Sequence, residues 1–100
     1  PIKSSAASDV YKRQVRMYPD DEVANLNAAA VALSKKDLPD ARKYLDKSNK
    51  QTAEYANNNG IYYLLSGNKD QAIVEFTKAD RNGNEAARYN LEEIEKVIKK

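Results

Sequence analysis

The sequence predicts an all-α protein of two helical hairpins with a further helix at each end, and three observations carry that expectation. The first is an internal repeat. Laid on itself with an offset of 31, the chain places Ala29 on Gly60, Lys36 on Gly67, Ala41 on Ala72, Leu45 on Phe76 and Ser48 on Ala79. Small and large residues thus recur in step, as they do in repeated helix–turn–helix units. The second is composition: three glycines, three prolines and alanine at 14 positions favour helix over strand. The third is that no segment alternates apolar and polar residues in the way a half-buried strand requires.

The first segment, residues 1–18, is expected to be partly helical, from about Asp9 to Met17, with Tyr11, Val15 and Tyr18 on one apolar face. Within it, "SSAASDVYKRQ" at 4–14 resembles a string that recurs where gene models are translated through sequencing-adaptor read-through. On that resemblance the stretch is not native. Against it, Ala7, Tyr11 and Pro19 stand 34 residues before Ala41, Leu45 and Ala53, as a preceding second helix would. No function is argued from it. The chain begins at Pro1 without methionine and is read as a piece of a longer protein.

The first hairpin, residues 19–51, opens at Pro19-Asp20-Asp21, whose acids lie where the helix dipole favours them. A helix to about Ser34, a turn through Lys36-Asp37 and a helix from Pro39 to about Lys47 follow. In the second hairpin, residues 52–83, Thr52 caps a helix from Ala53 to about Leu65. Gly67-Asn68 turns the chain, and Asp70 opens a helix to about Ala79 with Ala72, Ile73, Phe76 and Ala79 at helical spacing. Gly83 is the expected left-handed residue that ends it. The last segment, residues 84–100, is a capping helix from Glu85 with Ala87, Leu91, Ile94 and Ile98 on one stripe. Gly60 has two readings. Either it sits inside its helix where the partner helix crosses closely, or the helix begins there and Asn57–Asn59 form a loop. Phe76 and Leu45 are expected among the most buried side chains.

With Ala53 as first position, Gly60 is eighth, Tyr63 eleventh, Gly67 fifteenth, Ala72 twentieth, Phe76 twenty-fourth and Ala79 twenty-seventh. That pattern resembles the tetratricopeptide repeat, well in the second hairpin and in a degenerate form in the first, where Ala29, Ala41 and Leu45 take the matching places. Two departures stand out. The large aromatic usual at position four is Asn25 or Ala56, and the step is 31 residues instead of the family's 34. The resemblance implies an α-α superhelix. The wording of residues 18 to 95 is also similar to the C-terminal tetratricopeptide region of cell-envelope proteins of Gram-negative gut anaerobes, which implies a periplasmic or outer-membrane-associated parent.

Several chemistries lack their residues. Without histidine or cysteine, the chain holds no zinc site of those ligands and no Ser-His or Cys-His triad. Asp20/Asp21 and Glu92/Glu93 read as charged helix surface, Asp20-Asp21-Glu22 lacks a calcium loop, and Gly60 and Gly67 do not make a phosphate loop. An enzyme is not expected, nor a cofactor or metal. With 17 basic and 15 acidic residues largely alternating in sign, no nucleic-acid stripe is expected either. Tyr44, Tyr63 and Tyr89 are expected to pack half-buried beside the core. No apolar run approaches a membrane span.

What remains is surface for binding. In the family that the chain resembles, the first helix of each unit lines a concave groove for a peptide or a partner's helix. The matching positions here are Val23, Leu26, Asn27, Ala30, Leu33 and Ser34, then Glu54, Asn57, Asn58, Ile61, Leu64 and Leu65. Leu26, Asn27, Ala30, Leu33, Asn57, Asn58, Ile61 and Leu64 are the candidate groove residues. The family's carboxylate clamp needs lysine and arginine at these positions, and none is present. Asn27 and Asn58 match the position whose amide grips a peptide backbone. The alternative is that Leu26, Ile61 and Leu64 are core against the final helix. Two functions follow: a protein–protein interaction module, or a structural spacer or cap that packs on the rest of its parent.

Overall fold

The computed structural model describes the backbone of residues 4–98 and the side chains of residues 10–96. Among the described residues six helices follow one another: α1 (Ser4–Met17), α2 (Glu22–Ser34), α3 (Leu38–Asp46), α4 (Ala53–Leu65), α5 (Lys69–Arg81) and α6 (Glu85–Ile98). No strand occurs among the described residues. The fold is all-α. The 31-residue step holds at the level of helix ends: α4 starts and stops 31 residues after α2, and α5 starts 31 residues after α3. α3 stops early, at Asp46. Its next residues, Lys47-Ser48-Asn49-Lys50, include two poorer helix formers, where the matching Lys78-Ala79-Asp80-Arg81 continue α5. α1 begins at Ser4, five residues before the expected Asp9.

One device makes three of the turns. After α2, α4 and α5 a single residue takes a left-handed conformation: Lys36 (φ 59), Gly67 (φ 88) and Gly83 (φ 89). The next residue's backbone N–H then donates back to a carbonyl five residues earlier. Asp37 donates to Ala32 at 2.9 Å, Asn68 to Tyr63 at 2.8 Å, and Asn84 to Ala79 at 3.0 Å. This is the Schellman closure of a helix end. The same three residues cap the following helix. Asp37 Oδ1 accepts from Asp40 N at 3.2 Å, Asn68 Oδ1 from Gln71 N at 3.2 Å, and Asn84 Oδ1 from Ala87 N at 2.9 Å. One residue therefore ends one helix through its backbone N–H and starts the next through its side chain. α2 and α4, which follow longer links, take separate caps: Asp21 accepts from Val23 N and Ala24 N, and Thr52 from Tyr55 N.

The chain divides into two compact units, Pro1–Asn49 and Lys50–Lys100. In the first, α1 and α3 each pack against α2. Its buried residues are mostly alanine, Ala24, Ala28, Ala29, Ala32 and Ala41, with Leu33, Tyr44 and Leu45. Asn25 is buried among them, and its Nδ2 donates to the carbonyls of Pro19 (3.0 Å) and Asp21 (2.9 Å). That pair of bonds fastens the α1–α2 link onto α2, which is why a polar residue holds this place.

In the second unit α5 packs against both α4 and α6. Ala56, Ala72, Phe76, Ala79, Ala87 and Ile94 form its core, with Ile61, Tyr63, Ile73 and Leu91 packed against them. Gly60 lies inside α4. A Cβ there would stand 2.7 Å from both Cδ1 and Cε1 of Phe76, so the helix carries glycine where the ring lies on its backbone. The alternative start at Gly60, with Asn57–Asn59 in a loop, is overturned, because all three asparagines are helical. Phe76 and Leu45 are the largest fully buried hydrophobic side chains. Tyr63 is half-buried as expected, but Tyr44 is buried and Tyr89 is 62% exposed. It falls on the side of α6 opposite Ala87 and Ile94, too far round the helix to reach the core. The stripe residue Ile98 lies outside the described side chains.

Candidate functional site

On α2, Asn27 and Ala30 are exposed and Leu26 is half-buried, whereas Leu33 is 4% exposed and belongs to the interior. Val23, one turn before Asn27, is exposed as well. α2 is thus apolar on more of its circumference than its own unit covers.

On α4 the same positions have different surroundings. Asn57 is buried, and its Oδ1 accepts a hydrogen bond of 3.0 Å from Asn90 Nδ2 on α6. Its amide is committed to holding two helices together. Asn58 is half-buried, and Ile61 is half-buried against the Phe76 core. Leu64 and Leu65 are 38% and 37% exposed. The expectation that Ile61 and Leu64 share one environment therefore splits: Ile61 leans on the core, and Leu64 reaches the surface.

Leu64 has company there. With Lys69 from the start of α5 and Asn90, Glu93 and Ile94 from α6, it lines a largely apolar recess of about 220 Å³. Small-molecule and cofactor pockets run to roughly 300–1,000 Å³. This recess falls short of that, and it suits one or two side chains of another protein. The sequence does not single out Asn90 or Lys69, and it marks Glu93 only as charged helix surface. Asn90, Glu93 and Ile94 stand at i, i+3 and i+4 on α6, but they become part of the surface only once α6 is set beside α4. Ile94 belongs to the core stripe and also lines the recess.

The first unit has a second recess, of about 240 Å³, between α1, α2 and α3. Ala28, Val31 and Ala32 form its apolar part, and Lys12, Lys35, Asp37 and Asp40 bring charges of both signs. The Tyr44 phenol faces it with a pKa raised from the usual 10.0. Burial is the main cause, the carboxylates of Asp40 and Asp37 add to it, and Arg16 opposes them. A phenol with a raised pKa is neutral at ordinary pH. Among the described residues no group of acidic side chains could hold a metal ion, and no helix is long and apolar enough to cross a membrane. Compared with known proteins, the chain matches no family model, no curated protein and no solved structure.

Proposed function

We propose that this chain is a protein–protein interaction module, a scaffold or adaptor domain resembling tetratricopeptide repeats, within a larger envelope-associated bacterial protein. The observation that carries the reading is the recess at Leu64: a residue expected to face a partner reaches the surface and lines an apolar hollow sized for side chains. Exposed Asn27 and Ala30 on α2 extend the apolar and amide character of the first helices. A hollow of this composition gains from covering apolar area and needs few ion pairs.

The competing reading is a structural spacer or cap, and one observation favours it. Of the expected contact residues, Leu33 is only 4% exposed and Asn57 is hydrogen-bonded to Asn90. Selection of helical peptides from a display library, followed by mapping of the bound ones by amide chemical shifts, separates the two. A binding module shifts the amides around Asn58, Ile61, Leu64 and Ile94, and Leu64→Glu weakens binding at least tenfold with an unchanged melting temperature. If selection yields no binder, or shifts fall away from α4 and α6, the spacer reading replaces it.

A further inference from the structure

We propose that the recess at Leu64 receives one apolar side chain from an amphipathic helix of a partner protein, and that Lys69 and Glu93 select a helix carrying an acid one turn to one side of that anchor and a base one turn to the other. The inference rests on the interaction reading above and names the partner's chemistry.

The shape of the surface points to a helix. Peptide recognition by strand addition needs an exposed sheet edge, and recognition of proline-rich segments needs an aromatic-lined groove. The described residues contain no strand, and the recess has no aromatic side chain in its lining. Ile61, Leu64 and Leu65 stand at i, i+3 and i+4 on α4, half-buried to exposed. Such a row is a ridge of the kind that interdigitates with the ridges of another helix. α4 and α6 are bridged at Asn57 and Asn90, and both pack on α5, so the helices that line the hollow are tied to one another.

The charges supply the selection. Lys69 is exposed and makes no ion pair with a described residue. Glu93 has one weak partner, Lys96 at 3.4 Å, on a side exposed to water. The two bring opposite signs to one apolar hollow from different helices. An incoming helix with an acid toward Lys69 and a base toward Glu93 satisfies both at once. A helix with like charges on both sides of its anchor places one of them against its own sign, which is how interfaces reject close competitors. Exposed pairs of this kind are individually weak, so apolar burial sets the affinity and the charges set a preference of roughly fivefold.

Three synthetic alanine-based helical peptides test this, each with a central leucine. One carries glutamate four residues before it and lysine four residues after, one carries glutamate at both places, and one lysine at both. Each is titrated to 1 mM into the ¹⁵N-labelled full chain. The expected result is tightest binding of the mixed peptide, with shifts at Ile61, Leu64, Asn90 and Ile94. Lys69→Glu, which makes both edges acidic, moves the preference to the lysine peptide, and Glu93→Lys moves it to the glutamate peptide. Circular dichroism melts of the two variants check that both remain folded. If all three peptides shift these amides with equal affinity and the variants do not reorder them, the charge selection is overturned and the interaction reading stands. If none shifts them, both are overturned.

Discussion

Gly60 shows how a single residue's cost is decided by its neighbour. Inside a helix, alanine is favoured over glycine by about 1 kcal/mol. Here the added methyl would meet the ring of Phe76 at 2.7 Å, and that ring is 0% exposed and cannot swing away. Overpacking of a filled core costs about 1–3 kcal/mol, which outweighs the propensity gain. Gly60→Ala is therefore expected to lower the melting temperature by roughly 5 °C or more, measured by circular dichroism. An unchanged or raised value would show that the crossing is looser than described. Tyr44 gives a second prediction. Its phenol has a folded pKa above 10.0, raised first by burial and then by Asp40 and Asp37. Well below pH 10 the phenol is neutral in both states, and its contribution to stability is fully present. As pH rises beyond that, the unfolded phenol ionises first, and stability is lost until the raised folded value is passed. Urea melts of the native chain and Tyr44→Phe should run parallel up to about pH 9 and diverge above it, the native chain losing more. Parallel curves up to pH 11 would mean that water reaches the phenol freely.

At the scale of the element, the helices owe their limits to residues that act twice. Asn84 donates its backbone N–H to Ala79 and accepts from Ala87 through its side chain. Asn84→Ala keeps the first bond and loses the second, so a loss of about 1 kcal/mol is expected, with Asn84→Ser restoring most of it. Faster amide exchange at Ala87 alone, with Asn84 itself still protected, is the local signature. Exchange that rises equally at both would mean that the two bonds are not separable. These limits were largely legible in the sequence. Thr52, Asp21, Gly67 and Gly83 are turn and cap residues by their own chemistry, and α2, α4 and α6 start where they indicate. Lys36 was legible only through the repeat, since lysine has no preference for a left-handed φ and its place opposite Gly67 is what betrays it. The reach of α1 back to Ser4 was not legible, because Ser4, Ser5, Ala6 and Ala7 carry no apolar period.

For the whole molecule, fold and site differ in how far the sequence reached. The fold followed from a 31-residue recurrence of size, which is a property of residues near in sequence. The recess at Leu64 depends on residues from three helices, and periodicity within one helix cannot tell which neighbours face it. Leu33 and Asn57 show the converse: a repeat position gives the face of a helix but not whether that face is already filled. The second unit carries the site, and its architecture is complete in local terms. It has its own core around Phe76, side-chain caps on α4, α5 and α6, and the Asn57–Asn90 bond between two of its helices. A chain of such length buries only about 60% of its unfolded surface and is marginal, so independence rests on that core. Residues 50–100 expressed alone are expected to give a helical spectrum and a cooperative thermal transition. Phe76→Ala in the same fragment removes about 3–5 kcal/mol, as much as so small a domain holds, and should abolish the transition at every temperature. A fragment with no helical signal would place the stability of α4–α6 outside their own contacts, and a Phe76→Ala fragment that still melted cooperatively would mean that the ring is not the centre of the core.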